Sequence, residues 1–421
     1  MRLFFVVLSL FTSLFVVIQG EDYVTSYTNL ECSGSAMPYP EPRVTPQAPD
    51  SLMPIMINHI GRHGSRLLAS MKDIRLLERA LEAAEDEGSL TKTGKELLGH
   101  TEDVMEICTG TWGALDTIGK AEQKGIAIRM QSDFGPLFDN GRIRAISSYV
   151  PRAVMSMYEF THELASLNDR NEIVAISGRC NNELLRFFDC EAQKEIENRH
   201  EIINVINDYG KIILPQSVLS KIFGTGFSYE GFDKEKLLMS IYNLIAGSPA
   251  MGYKLNPSRF LTNNEYNALW SYYNLKQYLE HGSSYFTDEP ARLSLPLVKD
   301  FINKADSLVN GYDIEPVQLR FGHAETLIPF LSLICFPGCV YQSADMNNLN
   351  RNWKDFNVVP MSANFRMILF RAKDSGTVYA RFDLNERAIP LIDGSERLYI
   401  PWEEARGYLL LRSGLWFEMG Q

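Results

Sequence analysis

The amino-acid sequence predicts an α/β protein, with a parallel strand layer flanked by helices and interrupted by a mainly helical insert. Three observations carry this. Short β-rich runs alternate with helix-spaced apolar patterns toward both ends of the chain. The middle, roughly 185–310, has helical periodicity and few strand signals. A chain of 421 residues is long enough for a large core or two packed domains.

The elements follow in order. Leu3 to Ile18 is apolar except for Ser9, Thr12 and Ser13, and it follows Arg2. This is the layout of a secretory signal peptide over 1–20, with Gly20 as the cleavage edge. The run is shorter than the ~20 residues that span a bilayer, so a cleaved leader is expected and no stable membrane insertion after cleavage. Residues 21–50 are polar, and proline-rich from 38 to 48, which predicts an extended lead-in.

Residues 53–60 form the first strand. In 70–88, Ile74, Leu76, Leu77, Ala80, Leu81 and Ala84 recur at helical spacing. Residues 94–130 continue mostly helical, punctuated by Gly110, Gly113 and Gly119. Residues 142–148 alternate as a strand, Pro151 opens a helix, and 173–176 is another short strand. Strand, crossover helix and strand repeated in this way imply a parallel layer.

Helical stretches at 193–206, 234–246 and 264–280 make up the insert. Strand character returns at Val317–Phe321, before a helix after His323. Residues 364–371 and 376–384 form a hairpin around Asp374-Ser375-Gly376. The expected division is an α/β domain over 51–184 and 311–421, with a helical cap over 185–310.

Composition is that of a soluble globular protein, 45% hydrophobic and 22% charged. The net charge of -11 argues against nucleic acid or an anionic membrane as partner. Six cysteines behind a signal peptide suggest disulfides, although sequence cannot choose the connectivity. The short separations point to Cys180–Cys190 and Cys335–Cys339. No N-glycosylation sequon occurs, since Asn256-Pro257-Ser258 is excluded by its proline. The ending Glu418-Met419-Gly420-Gln421 is no endoplasmic-reticulum retrieval signal. The expected location is the secretory pathway, either secreted or in a lysosome-like lumen.

Arg62-His63-Gly64-Ser65-Arg66 follows the apolar run Ile55 to Ile60. It places an imidazole between two permanent cations at a strand end. Guanidinium forks bind tetrahedral oxyanions with paired, charge-assisted hydrogen bonds, and an imidazole so held can attack phosphorus. Gly64 leaves room where something must approach the backbone closely. A second segment reads Phe321-Gly322-His323-Ala324-Glu325-Thr326-Leu327-Ile328-Pro329.

Together the two segments resemble the histidine phosphatase superfamily. The His-Ala-Glu form is similar to its multiple inositol polyphosphate phosphatase branch. Asn182 to Cys190 and Leu384 to Leu391 look like further landmarks of that branch, extending the resemblance over roughly residues 50–412.

The resemblance implies a phosphoglycerate-mutase-like α/β domain with an inserted cap. It also implies metal-independent hydrolysis of phosphomonoesters through a phosphohistidine, with no cofactor. The expected substrates are small inositol polyphosphates, phytate above all. In that reading His63 is the nucleophile, and Arg62 and Arg66 clamp the phosphate. Arg152, behind Pro151 at a helix start, is a third cation. His323 is a further phosphate donor, protonated by the bound anion. Glu325 is the general acid and then base, its carboxyl raised by burial, and it shares a face with His323 on an extended segment.

Leu68 stands where the family usually has proline, and Asp116 where it usually has threonine. Neither touches a chemical role. His59 and His63 are four apart but sit on a strand end, so no metal site is expected. Gly224-Thr225-Gly226 reads as a turn.

Two other functions remain open. One is a broad acid phosphatase or bisphosphoglycerate phosphatase. The other is a non-catalytic binding protein for inositol phosphates. A mutase fits less well with a signal peptide.

Overall fold

The structure is a computed structural model that describes residues 26–41, 47–139, 141–312 and 314–415. The signal-peptide segment and residues 416–421, which include the ending Glu418 to Gln421, lie outside these. Among the described residues, no helix is long and apolar enough to cross a membrane.

The chain enters one mixed sheet with β1 (Leu52–Arg62). Helices α1 (Met71–Asp86), α2 (Lys92–Cys108) and α3 (Thr117–Asp133) follow. Then come β2 (Arg142–Ser147), α4 (Pro151–Leu167) and β3 (Glu172–Ser177).

A long helical stretch contains α5 (Asn182–Leu185), α6 (Glu191–Glu197), α7 (His200–Ile213), α8 (Ser217–Phe223) and α9 (Lys234–Gly247). It continues through α10 (Asn263–His281), α11 (Glu289–Arg292) and α12 (Leu295–Val309).

The sheet resumes with β4 (Val317–Gly322), followed by α13 (Ala324–Leu333), α14 (Leu349–Asn352) and α15 (Asp355–Val358). The chain ends through β5 (Asn364–Ala372), β6 (Val378–Leu384), β7 (Arg387–Ala388), β8 (Ile400–Pro401) and α16 (Trp402–Ser413).

Strand order is β3-β2-β4-β1-β5-β6-β7, with β8 also paired to β6. The β3, β2, β4 and β1 neighbours run parallel, and β5 and β6 are antiparallel. All six residues of β4 are buried, as a central parallel strand covered on both faces requires.

One face packs Ile57, Ile143, Leu319 and Phe321 against α3 and α4, through Ile126, Met130, Met157 and Phe160. The opposite face joins the large core with Met56, Ile60, Phe301, Leu327, Phe330 and Phe365. Each such fully buried side chain contributes roughly 1.5–3 kcal/mol.

Helices α1 and α2 precede β2 in the chain, yet they pack on α9 and α8. Residues 71–108 therefore join the helical layer in space. The extended lead-in needs a correction. Residues Glu31–Ala36 coil into a 3-10 helix with Cys32, Ser33, Gly34 and Ser35 buried. The cause is a buried carboxylate, Asp355, which accepts the Ser35 N–H at 2.7 Å. Gly34 adopts φ 57° to permit it.

The cysteine pairings are also overturned. All six cysteines are unbonded, including Cys180 with Cys190 and Cys335 with Cys339. Cys180 is exposed, whereas Cys339 is buried behind a left-handed Cys335, φ 49°, that ends α13.

Candidate active site

The register of two parallel strands brings the separated motifs together. Arg62 on β1 pairs with Gly322 on β4, and the His63 N–H donates to the Gly322 carbonyl at 3.1 Å. The next residue on each strand is a histidine, and the two rings lie 5.6 Å apart between centroids. On the other side of β4, the Ser148 N–H donates to the Phe321 carbonyl at 3.1 Å, so β2 ends at the same level. Pro151 then starts α4 and Arg152 sits in its first turn. The site thus occupies the C-terminal ends of parallel strands, where α/β sheets open into a crevice.

The 62–66 loop is held on every side. Gln123 Nε2 donates to the Arg62 carbonyl at 3.1 Å, and Ser156 Oγ accepts the Gly64 N–H at 3.1 Å. Glu122 accepts the Ser65 N–H at 2.8 Å and its hydroxyl at 2.7 Å. The close approach anticipated at Gly64 comes from α3. A Cβ there would stand 2.5 Å from the Gly119 carbonyl oxygen and 2.7 Å from its Cα. Asp116 caps that helix by accepting the Gly119 N–H at 2.8 Å.

His63 is buried, and its Nδ1 lies 2.9 Å from the Gly64 carbonyl. A carbonyl only accepts, so Nδ1 carries the proton and Nε2 keeps its lone pair. Burial first, then the charges of Arg152, Arg62 and Arg66, push the ring well below the usual histidine range. The imidazole is therefore neutral and nucleophilic at ordinary pH.

Arg62 is anchored through Nη1, which donates to the Ser35 and Val359 carbonyls at 2.5 Å each. Arg66 donates to the Leu67 carbonyl at 3.0 Å. Burial lowers Arg66 and Arg152 to about 10 each, with mutual repulsion of the guanidinium groups adding to it. A further cation converges that sequence reasoning left without a role. Arg186 places Nη1 3.5 Å from His323 Nε2. The Nε atoms of Arg62, Arg66, Arg152 and Arg186 are all buried without a hydrogen-bond partner. Four buried cationic donors without partners, beside His63 and His323, suit an oxyanion.

The segment carrying His323 and Glu325 is not extended. His323 has extended backbone (φ -136°, ψ 173°), but Ala324 already begins α13 and Glu325 lies in its first turn. His323 Nε2 is 2.9 Å from Ser148 Oγ and within reach of Arg186. A guanidinium only donates, so Nε2 accepts and the ring proton sits on Nδ1. That Nδ1 is buried and unpartnered. Burial foremost, with nearby arginines, lowers the ring to about 3 despite Glu325. His323 is therefore a neutral Nδ1–H donor and needs no second proton to hold an anion.

The raised Glu325 carboxyl is corrected as well. Burial works to raise it, but the field of His323, His281 and Arg62 prevails and holds it at about 2. Through-space charges from three separate segments of the chain set that balance. His281, at the end of α10, had no signal in the sequence, nor did Ser148. Arg186 lay inside a landmark segment but carried no chemical flag.

Glu325, Arg62 and Arg66 also line an open cleft of about 220 Å³. Its other walls come from α1, α9, α10 and the 3-10 turn at Ser33, Ser35 and Ala36. His59 stays out of the site, buried against Phe160 and Phe321 at 5.7 and 5.8 Å between ring centroids. Among the described residues, no group of three or more potential metal ligands forms.

A neutral histidine ringed by guanidinium groups, at the strand ends of a mixed α/β sheet under helices, defines the histidine phosphatase class. No family model matches the chain. Human multiple inositol polyphosphate phosphatase 1 is 24% identical over 396 residues, covering 86% of this chain and 80% of the relative. The multiple inositol polyphosphate phosphatase of Bifidobacterium longum in its apo form superposes with a TM-score of 0.78 and 20% identity, over 90% of this chain and 97% of that one. The phytase of D. castellii gives a TM-score of 0.65 at 14% identity, over 92% of this chain and 86% of that one. The curated relative and the solved neighbours are a multiple inositol polyphosphate phosphatase and phytases, and the likeness to the solved structures is one of fold.

Proposed function

We propose that this chain is a metal-independent phosphomonoesterase that hydrolyses inositol polyphosphates through a phosphohistidine intermediate. The observation that carries the reading is the neutral His63 ring, with Nδ1–H given to Gly64, among unsatisfied guanidinium donors. The names of the relatives support it: an inositol polyphosphate phosphatase, a phytase, and a B. longum enzyme in complex with inositol hexasulfate.

Arg62, Arg66, Arg152 and the Nδ1–H of His323 hold the three spectator oxygens, and Arg186 adds a fourth guanidinium. His63 Nε2 attacks phosphorus, forming a P–N bond as the ester P–O bond breaks. The Glu325 carboxyl gives its proton to the departing alkoxide oxygen. The incoming phosphate supplies the condition for that proton. Its charge cancels the cationic field that holds Glu325 down, and burial then favours the neutral acid. In the second step the Glu325 carboxylate takes a proton from water, whose oxygen attacks phosphorus and breaks the P–N bond. Inorganic phosphate leaves and His63 is regenerated.

The α/β part over 51–184 and 311–421 supplies the chemistry, joined by Arg186 from the start of the insert. The 185–310 helices, with 71–108 beside them, form the cap over the substrate. The N-terminal leader directs the protein into the secretory pathway, for secretion or a lysosome-like lumen.

The test is phosphate release from phytate by purified protein, from acid to neutral pH with chelator present, beside His63→Ala. Chelator-resistant release that the substitution abolishes supports the proposal. Release that survives His63→Ala overturns the phosphohistidine step. Binding of phytate without turnover at any pH overturns the enzyme reading.

A further inference from the structure

Glu325 must face the bridging oxygen to protonate it, so the cleft it lines receives the body of the substrate beyond the scissile phosphate. Among the described residues lining that cleft, Arg62 and Arg66 are the only arginines, and no lysine lines it. Both arginines already belong to the oxyanion site together with Arg152 and Arg186, which do not line the cleft. The rest of the wall is uncharged or acidic. Asn243, Tyr273 and Gln277 come from α9 and α10, Ala246 and Gly247 bring no charge, and Asp73 presents a carboxylate from the first turn of α1. Asn243 Nδ2 lies 3.4 Å from Asp73 Oδ2, which ties the two into one patch.

A ring carrying phosphate on every carbon brings several dianions into this wall. Beyond Arg62 and Arg66, which hold the scissile phosphate, no cation in the lining pairs with them, and Asp73 repels them at short range. Free ring hydroxyls suit the same wall, because amide, phenol and carboxylate groups each form hydrogen bonds with a hydroxyl.

We propose that this cleft selects inositol phosphates of low phosphorylation, whose rings keep free hydroxyls, over the hexakisphosphate, and that Asp73 with Asn243 sets the preference. This rests on the phosphatase reading above and narrows its substrate class.

The experiment measures kcat/KM for an inositol trisphosphate, phytate and a small aryl phosphate on the full chain, at fixed pH and ionic strength. The wild type is expected to favour the trisphosphate over phytate by about tenfold or more, roughly one close charge–charge contact. Asp73→Asn should raise the phytate-to-trisphosphate ratio, and Asn243→Lys should raise it further by adding a cation. A melting curve for each variant separates selectivity from misfolding, and Asp73→Glu, which keeps the charge, should keep the wild-type ratio. A wild type that prefers phytate, or a ratio unmoved by both Asp73→Asn and Asn243→Lys, overturns this inference and leaves the phosphatase reading intact. No release from any inositol phosphate, with the aryl phosphate still cleaved, overturns both.

Discussion

Adding one methyl group at Gly64 tests whether the position of the 62–66 loop governs the chemistry. Gly64 is absent from the positive-φ residues, so alanine is conformationally allowed there. What forbids it is contact. The new carbon would lie 2.7 Å from Gly119 Cα and 2.8 Å from Gly119 C. Carbon atoms rest at ~3.5–4.0 Å, so a relative displacement of roughly 1 Å is needed. The obstacle is backbone in the first turn of α3, held by the Asp116 cap and unable to rotate aside. The approach is mutual, because a Cβ on Gly119 would stand 2.1 Å from the Ser65 carbonyl oxygen.

The loop between Arg62 and Arg66 must therefore yield. Overpacking of this kind costs about 1–3 kcal/mol of stability. Misplacing reacting groups by 1 Å costs on the order of 10²-fold in rate. Gly64→Ala is thus expected to melt earlier and to lose about a hundredfold in kcat/KM, measured by phosphate release below the melting range. Gly99→Ala on α2 is the control, since a Cβ there meets nothing within 4 Å. Helix propensity predicts that it stabilises by up to about 1 kcal/mol. A folded Gly64→Ala protein with wild-type kcat/KM would refute the argument that this contact positions the nucleophile.

Three further outcomes follow from the same geometry. Glu325→Gln should lower turnover of inositol phosphates by about 10²–10⁴-fold but spare aryl phosphates, whose leaving group needs little protonation; equal losses on both would remove Glu325 from the acid role. Sulfate should bind more tightly as pH falls. Its charge raises the Glu325 and His323 pKa values above their free values of about 2 and about 3, so the complex takes up protons that the free protein does not. The gain appears above pH 3 up to the raised values, at no more than about one log unit per pH unit per proton, and pH-independent calorimetric affinity would contradict it. Asp355→Ala should cost roughly 2–6 kcal/mol in urea unfolding, because the Trp270 Nε1–H and Ser35 N–H lose their buried acceptor at about 1–3 kcal/mol each. Loss below 1 kcal/mol would show that Asp355 does not hold the 3-10 turn.

Much of the site was legible because it is local. Arg62, His63 and Arg66 are separated by at most four residues at a strand end, and Pro151-Arg152 announces a helix start. His323 and Glu325 could be paired by spacing, but their backbone was misjudged. The α13 helix begins one residue earlier than an extended reading allows, because the Thr326 hydroxyl accepts the His323 N–H at 3.1 Å and donates to the Leu185 carbonyl at 2.8 Å. The same hydroxyl ties the turn to the segment that delivers Arg186. No run of neighbouring residues reveals such a link across 141 positions. Cysteine pairing failed for a related reason. Short separation brings two thiols near in the chain, but helix ends and burial direct them apart in space.

The sequence by itself determined most of the strands and helices and the placing of His63 between Arg62 and Arg66 at a strand end, because these depend on periodicity and on spacing within a few residues. The tertiary structure alone decided that Arg186 joins the oxyanion site and that Asp355 holds the turn beneath Arg62. It also decided that Glu325 starts out ionised. Each depends on groups from different elements meeting at a few ångströms, and the Coulomb and desolvation energies that set charge state follow distance and burial, not position along the chain.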